Sequence, residues 1–257
     1  MASVRKCGLN IRADMQLTTR QINDFQTNGF LLLAQFADHQ LCDDIRKLAA
    51  HHLFEQVEPI ESEEEYLQKS TDSKTTRRLR QVYDREPLFA RWMTDPGMRP
   101  VLEQLLGEEP CLLLAHHNSI MTKLPHVSSV TSWHQDIRYW HYENDNLLSV
   151  WLSLGDEFLE NGLLEFIPGS HKMKFTPDQF DEKSGFRDDL PQNQEVIAKR
   201  VHFDLKKGDV VLFHAKTLHH AHKNNTDTPK LSFVYSVRAR SNRPIPGTRS
   251  DYREIAL

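Results

Sequence analysis

The N-terminal part of the chain has hydrophobic residues at helical spacing, interrupted by a short apolar run. Thr18 or Thr19 can cap a short helix in LTTRQINDFQTNG, and Asn28-Gly29 is a typical helix end. Residues 30–34, FLLLA, are uniformly apolar, as in a buried strand. The first element after residue 15 is therefore predicted to be a helix followed by a strand.

Two further helical segments precede residue 110. Asp38 is placed to cap a longer helix over residues 39–57. The acidic stretch 61–74, ESEEEYLQKSTDSK, is too polar to bury, so it is predicted to be a solvated loop. Residues 85–110 are predicted to be helical with a break at Asp95-Pro96-Gly97, since proline interrupts a helix.

From Cys111 onward, short apolar runs follow one another, separated by Gly, Pro, Asn and Asp. Such spacing is typical of a β-sandwich or barrel, with the helices packed outside it. We expect a helical part at about 16–110 and a mainly β core at about 111–240, together one domain over 16–257. Residues 1–15 lack a periodic pattern, which is typical of a disordered extension. The runs are CLLLAHHNSIMTKL, LLSVWLSL, LLEFI, VIAKRVHFDL, DVVLFHA and KLSFVYSVRA.

Composition narrows the class of protein. The 257 residues include 32 Lys+Arg and 36 Asp+Glu, a formal net charge of −4, so a nucleic-acid partner is not expected. No apolar run is long enough to span a bilayer. Cys7, Cys42 and Cys111 are odd in number and widely spaced, which favours free thiols in a reducing compartment. We therefore expect a cytoplasmic protein that acts on a small molecule.

The stretch WHQDIRYWHY, residues 133–142, carries the candidate chemistry. On an extended strand His134 and Asp136 project from the same face. With a second imidazole they make the 2-His-1-carboxylate triad that holds Fe(II) and leaves open positions. The spacing alone is weak, because the chain has a second His-x-Asp pair, His202 and Asp204, just before a turn signal.

A histidine cluster about 85 residues downstream can supply the second imidazole. The intervening strands are sufficient to fold the chain back and bring this cluster to the His-x-Asp pair. From the residues alone the choice among the candidates stays open. They lie in LFHAKTLHHAHKNN and are His214, His219, His220 and His222.

Taken together and in order, the motifs resemble those of the phytanoyl-CoA dioxygenase family of Fe(II)/2-oxoglutarate oxygenases. The resemblance runs from about residue 17 to residue 238. The family fold is a double-stranded β-helix (jelly roll, cupin-like) with flanking helices, which agrees with the strand pattern. The matching pieces are LTTRQINDFQTNGFLLL, WHQDIRYW, LLSVWLSL, ENGLLEFIPGSHK, GDVVLFHAKTLHHAHKNNT and PKLSFVYSVRA.

The resemblance implies a set of site residues. It makes His134, Asp136 and His219 the metal ligands and catalytic centre, with His220 as the alternative for the distal histidine. The basic residue eleven positions after His219, usually Arg in the family, is Lys230 here. An ammonium can neutralise the far carboxylate of 2-oxoglutarate but lacks the guanidinium fork.

Strand parity and the resemblance also imply further positions. Arg238 and Arg240 share strand parity with Lys230 and are alternative anchors. In LLSVWLSL, the Ser149, Trp151 and Ser153 face suits a polar lumen, and the resemblance makes Trp151 a cosubstrate contact. The expected set is completed by Lys123 for the cosubstrate and by Arg138, Tyr139 and Trp140 for the substrate. Arg138 shares strand parity with His134 and Asp136, which places it to meet an anionic substrate; a salt bridge is the alternative.

The implied function is an Fe(II)- and 2-oxoglutarate-dependent dioxygenase. Such an enzyme uses O2 to hydroxylate a small-molecule metabolite and releases succinate and CO2. Two alternatives stay open: a metal-binding cupin-type enzyme that does not use 2-oxoglutarate, and a non-catalytic binding module. The fold does not select the metabolite.

Overall fold

Helix α1 (Thr19–Asn28) has the predicted start and end. The Thr18 hydroxyl accepts a hydrogen bond from the Gln21 amide, and the side-chain oxygen of Gln21 accepts one from the Thr18 amide, which makes a capping box. Gly29 ends the helix with φ of 86°, and a Cβ there would lie 2.4 Å from Nδ1 of His171. Only glycine combines this left-handed backbone with so close a neighbour. The computed structural model describes residues 15–68 and 75–257, so the extension predicted for residues 1–15 lies almost entirely outside it.

Three other helices follow the sequence prediction. Helix α2 (His39–Phe54) begins at Asp38, whose carboxylate accepts hydrogen bonds from the amides of Gln40 and Leu41. Helices α4 (Pro87–Met93) and α5 (Arg99–Leu106) are separated at the predicted Asp95-Pro96-Gly97 break. Helices α3 (Glu63–Leu67) and α6 (Pro191–Ile197) were not predicted. Within the described part of the chain every helix is too short or too polar to cross a bilayer.

Eleven strands among the described residues form two antiparallel sheets. The large sheet has the order β1-β8-β6-β10-β4-β3-β2, and β11 also pairs with β4. The small sheet has the order β5-β9-β7. The strands are β1 (Phe30–Leu33), β2 (Ile60–Ser62), β3 (Thr76–Arg80), β4 (Pro110–Lys123), β5 (Thr131–His134), β6 (Leu147–Ser153), β7 (Leu164–Phe166), β8 (Val210–His214), β9 (His219–Ala221), β10 (Lys230–Ala239) and β11 (Glu254–Ala256).

The two faces of the large sheet have different partners. On β10, Phe233 and Tyr235 pack with the helices in one apolar core. Val234 points the other way and packs with Trp151 of β6 and with Phe166 of the small sheet. The second core is therefore the space between the sheets, and the predicted jelly roll with outer helices is confirmed.

The prediction of a solvated loop at residues 61–74 is wrong for its first half. Glu61 lies in β2 and Glu63 begins α3, and they are only 6% and 2% exposed. Each carboxylate is paired: Arg78 binds Glu61, and Nη1 of Arg77 lies 3.3 Å from Glu63. The composition of this stretch does not predict that these acids are buried, because the arginines that pair with them lie outside it, on β3. Residues 69–74 lie outside the described part.

Residues 196–205, VIAKRVHFDL, were also expected to form a strand and do not. The start of this run belongs to α6, and only isolated bridges, Phe166 with Val201 and Glu157 with Leu205, follow. The polar segment before it, residues 176–194, contributes aromatic side chains to a separate apolar cluster. That cluster contains Trp133, Ile167, Phe175, Phe180, Phe186, Ile197 and Leu218.

The buried pair of Arg77 and Glu63 predicts a large stability effect. Arg77→Met leaves the Glu63 carboxylate in a site 2% exposed without its cation, so we expect a loss of about 3–5 kcal/mol in the free energy of unfolding. Arg20→Met is the matched control, since Arg20 pairs with Asp24 at the surface, and no measurable change is expected. Urea unfolding of the two variants checks this, and equal small losses would contradict it.

Candidate active site

His134 and Asp136 come together where β5 ends. The strand stops at His134, and Asp136 opens a turn of 3-10 helix over Asp136–Tyr139 instead of continuing the extended chain. The two side chains still point to one place, with Nε2 of His134 3.7 Å from Oδ1 of Asp136. Gln135 turns away and donates to the Lys216 carbonyl at 2.5 Å.

Strand β9 brings His219 to the same point. In the register of β5 and β9, His134 lies opposite His219, and their ring centroids are 4.2 Å apart. Nε2 of His219 is 3.7 Å from Oδ1 of Asp136. One ligand atom from each of the three residues lies within 4.8 Å of the others. His220, the alternative to His219, is oriented to the opposite face of the strand.

Both histidines are held with Nε2 toward the carboxylate. Nδ1 of His134 donates to the Ser132 carbonyl at 2.8 Å, and Nδ1 of His219 donates to the Thr217 carbonyl at 2.9 Å. Since a carbonyl only accepts, the proton of each neutral ring sits on Nδ1 and the lone pair on Nε2. Burial lowers the pKa of His134 to about 3 and also lowers the pKa of His219, so both rings are neutral near pH 7.

Asp136 is kept charged by its neighbours. Burial opposes its ionisation, but His117 and His219 outweigh burial and hold the pKa of the carboxyl well below its usual range. Ser149 donates to Oδ2 at 2.9 Å, and Nε2 of His117 lies 3.0 Å from Oδ1. Two neutral imidazoles and one carboxylate are the donor set that suits Fe(II) and similar divalent ions.

Of the two residues that support Asp136, only Ser149 has a signal in the sequence. Ser149 lies on the face of β6, shared with Trp151 and Ser153, that the sequence predicts to line the lumen, but its contact with Asp136 is not predicted. His117 lies in the apolar run of β4, where nothing in the local pattern marks it.

A cleft of about 880 Å³ opens beside the triad and is lined by His134 and Asp136. Tyr139 and Trp140, expected on the substrate side, line it as well. Arg138 does not: its guanidinium carbon lies 3.5 Å from the centroid of the Phe180 ring. The parity argument for Arg138 fails because the strand has already given way to the 3-10 turn.

The residues expected to contact the cosubstrate face the space between the sheets. Lys123 and Lys230 are directly opposite each other on β4 and β10, and Nζ of Lys230 is 5.2 Å from the Trp151 ring centroid. Nζ of Lys123 donates to the Ser129 carbonyl at 2.6 Å. Burial, aided by the charges of Arg77 and Lys230, lowers the pKa of Lys123 to about 6.

Glu157 is a second residue of the site that no sequence pattern marks. It is fully buried, and its carboxylate accepts hydrogen bonds from Nζ of Lys230 at 2.9 Å and from the Ser232 hydroxyl at 2.7 Å. The Trp151 indole donates to the same carboxylate at 3.1 Å. The charge of Lys230 is therefore already balanced within the chain.

The alternative arginines lie elsewhere. Arg238 donates to Glu254 at 2.9 Å on the far part of β10, and Arg240 pairs with Glu109. Neither joins the group around Trp151, so of the three basic candidates only Lys230 is placed beside it.

Comparison with known proteins gives the family. The phytanoyl-CoA dioxygenase family model matches residues 25–232. A probable phytanoyl-CoA dioxygenase of Caenorhabditis elegans is 26% identical over 149 residues, 55% of this chain and 48% of its own length. The peroxisomal phytanoyl-CoA dioxygenase of Mus musculus is 27% identical over 226 residues, 82% of this chain. The chain spans only 65% of the mouse protein.

Other similar proteins are named for different substrates or reactions. An ectoine dioxygenase of Sphingopyxis alaskensis is 24% identical over 246 residues, 90% of this chain and 78% of its own length. The solved structure of EctD from S. alaskensis with bound Fe superposes with a TM-score of 0.75 at 22% identity, covering 97% of this chain and 85% of that one. The carbocyclase SnoK, described as non-heme and alpha-ketoglutarate-dependent, gives a TM-score of 0.75 at 18% identity, covering 95% and 92%.

The structural likenesses establish the jelly-roll fold, and the family model establishes descent. It covers most of the chain, including β5 with His134, the turn with Asp136 and β9 with His219. The protein belongs to the phytanoyl-CoA dioxygenase family.

Proposed function

We propose that the protein is an Fe(II)- and 2-oxoglutarate-dependent dioxygenase that hydroxylates a small molecule. The overall reaction converts substrate, O2 and 2-oxoglutarate into hydroxylated product, succinate and CO2. The observation that carries the proposal is the convergence of His134, Asp136 and His219 at the wall of an open cleft. Membership of the family supports the same reaction.

The roles of the side chains follow from their contacts. His134, Asp136 and His219 would hold the iron, and the bound iron supplies the activation of O2. His117 and Ser149 hold the carboxylate of Asp136 in place. Outer partners of this kind orient metal ligands and commonly affect metal affinity.

For the cosubstrate, we propose that the far carboxylate of 2-oxoglutarate is bound near Lys230, Lys123 and Trp151. Glu157 competes for the ammonium of Lys230, so this pocket attracts a carboxylate less strongly than an unpaired lysine would. Lys123 is neutral near pH 7 and can take up a proton when an anion arrives beside it.

The cleft favours an anionic substrate with an extended apolar part. Aromatic walls suit apolar groups. Lys183 and Arg249, both exposed, line the cleft, and neither forms an ion pair with any residue in 15–68 or 75–257. These two cations outnumber Asp181, the exposed acid of the same lining. The aromatic lining consists of Tyr66, Tyr139, Trp140 and Tyr252.

We also propose a cytoplasmic location, supported by the free thiols of Cys42 and Cys111.

The first test is 2-oxoglutarate turnover. With Fe(II), ascorbate and O2, a library of anionic metabolites should contain compounds that stimulate succinate release. Asp136→Ala removes the anionic ligand and should lower the stimulated rate by more than about 100-fold. This loss exceeds the roughly 10- to 100-fold that commonly follows removal of a residue that only orients a metal ligand. Asp204→Ala is the matched control, since Asp204 belongs to the other His-x-Asp pair and is exposed.

The outcomes separate the alternatives. Iron binding without succinate release, tested with and without metabolites, would indicate a cupin-type enzyme that does not use 2-oxoglutarate. Absence of iron binding by calorimetry would indicate a binding module. An unchanged rate in Asp136→Ala would mean that the triad takes no part in the reaction.

Lys230 is expected to have both a structural and a binding role. Lys230→Met should weaken 2-oxoglutarate binding about 10- to 100-fold by removing a charged donor, and should lower stability because Glu157 keeps its buried charge. Adding Glu157→Gln should restore stability but not affinity. Anaerobic calorimetry with Fe(II), and urea unfolding, measure the two effects.

The surface pair of Lys206 and Asp156 provides the control for this series, and Lys206→Met should change neither quantity. Restoration of 2-oxoglutarate affinity in the double variant would mean that Lys230 only neutralises Glu157.

Binding of 2-oxoglutarate should also take up protons. The pKa of Lys123 is about 6 in the free protein, so at about pH 8 the amine is mostly neutral, and a bound carboxylate raises its pKa. Calorimetry in buffers with different ionisation enthalpies should show net uptake at about pH 8 that disappears in Lys123→Met. An enthalpy independent of buffer would contradict this assignment.

A further inference from the structure

A second cluster of metal-ligating side chains lies on the outer face of the small sheet. Strand β9 directs His219 inward, so its neighbour His220 points outward. Glu165 of β7 is directly opposite His220 in the register, and His222 follows β9 with the same parity as His220. The topology therefore gathers one carboxylate and two imidazoles on a face that the iron triad does not use.

The distances within this cluster are short. Nε2 of His222 lies 2.9 Å from Oε2 of Glu165, and Nδ1 of His220 lies 3.7 Å from the same oxygen. The rings of His220 and His222 have centroids 4.6 Å apart. One ligand atom from each residue lies within 4.8 Å of the others, the same criterion that the iron triad meets.

One donor atom of the cluster lacks a partner. Nδ1 of His220 is buried and makes no hydrogen bond to any described residue. Its ring is held by stacking on Trp133, with centroids 5.1 Å apart and planes at 21°. A buried nitrogen without a partner is costly, and a cation between it and the Glu165 carboxylate would satisfy it.

We propose that Glu165, His220 and His222 form a second divalent-metal site that prefers zinc. Two histidines and a glutamate are a known ligand set of Zn²⁺, which leaves a fourth position for water or another side chain. His202 is placed for that position, with Nδ1 3.5 Å from Oε1 of Glu165. A bound ion ties β7 to β9, the strand that carries His219.

Arg200 opposes the ion. Its Nε lies 3.4 Å from Oε1 of Glu165, and its side chain is 49% exposed, so the guanidinium can turn toward solvent when a cation enters. Removing this nearby positive charge should tighten metal binding. Arg200→Gln is therefore expected to increase Zn²⁺ affinity by up to about fivefold.

The test counts ions, because the iron triad also binds Zn²⁺. Equilibrium dialysis of metal-free protein against Zn²⁺ should give two ions per chain in the wild type. Each single variant, Asp136→Ala or His222→Gln, should bind one ion. The double variant that combines these two substitutions should bind none. His222→Gln should weaken the second ion by more than about 100-fold. It should leave 2-oxoglutarate turnover unchanged, because His222 does not contact the triad.

His126→Gln is the matched control: His126 is an exposed histidine paired with Asp227, and its replacement should not change the count. Thermal unfolding gives a second readout, since Zn²⁺ should raise the Tm of Asp136→Ala but not that of the double variant. The site is overturned if Asp136→Ala binds no ion, if His222→Gln keeps two, or if His126→Gln loses one.

Discussion

A carboxylate inside a protein is stable only when donors or cations surround it, because its desolvation costs several kcal/mol. This constraint shapes the barrel. Each buried acid has its own partners: Asp136 has His117 and Ser149, and Glu157 has Lys230. The first arrangement faces an open cleft and leaves the nitrogen lone pairs of two histidines beside the carboxylate. The second closes on itself, so the same physical requirement produces a ligand set in one place and an internal ion pair in the other.

The difference between the two acids lies in what their partners can still do. The rings of His134 and His219 beside Asp136 are neutral, so their Nε2 atoms keep lone pairs for a cation. The groups around Glu157 are a cation, a hydroxyl and an indole N–H, all of which already donate to it. Of these two carboxylates, only Asp136 is therefore placed to share a metal ion with its neighbours. In the cosubstrate role proposed for it, Lys230 would have to exchange Glu157 for the carboxylate of 2-oxoglutarate.

Sequence reasoning succeeded where the determining interaction is local or periodic. The Thr18 cap involves a residue three positions away, and the face of Trp151 follows from strand alternation. It failed where burial depends on a partner far along the chain. Glu63 resembled a solvated acid because its partner Arg77 lies on a different element, β3. The pairing of Glu157 with Lys230 was hidden because the two residues are 73 positions apart. The alternation argument failed for Arg138, since the chain leaves the strand before reaching it.

Strand parity also explains why the distal histidine could not be chosen from residue type alone. His219 and His220 are chemically identical neighbours, and only the pairing of β9 with β5 and β7 decides which of them points inward. Phe166, opposite His219, packs in the core between the sheets, whereas Glu165, opposite His220, faces outward. An ion bound to the outer cluster would restrain β9 through His220. His219, the adjacent residue, keeps its own register with His134 of β5, so the two faces of this strand hold separate groups.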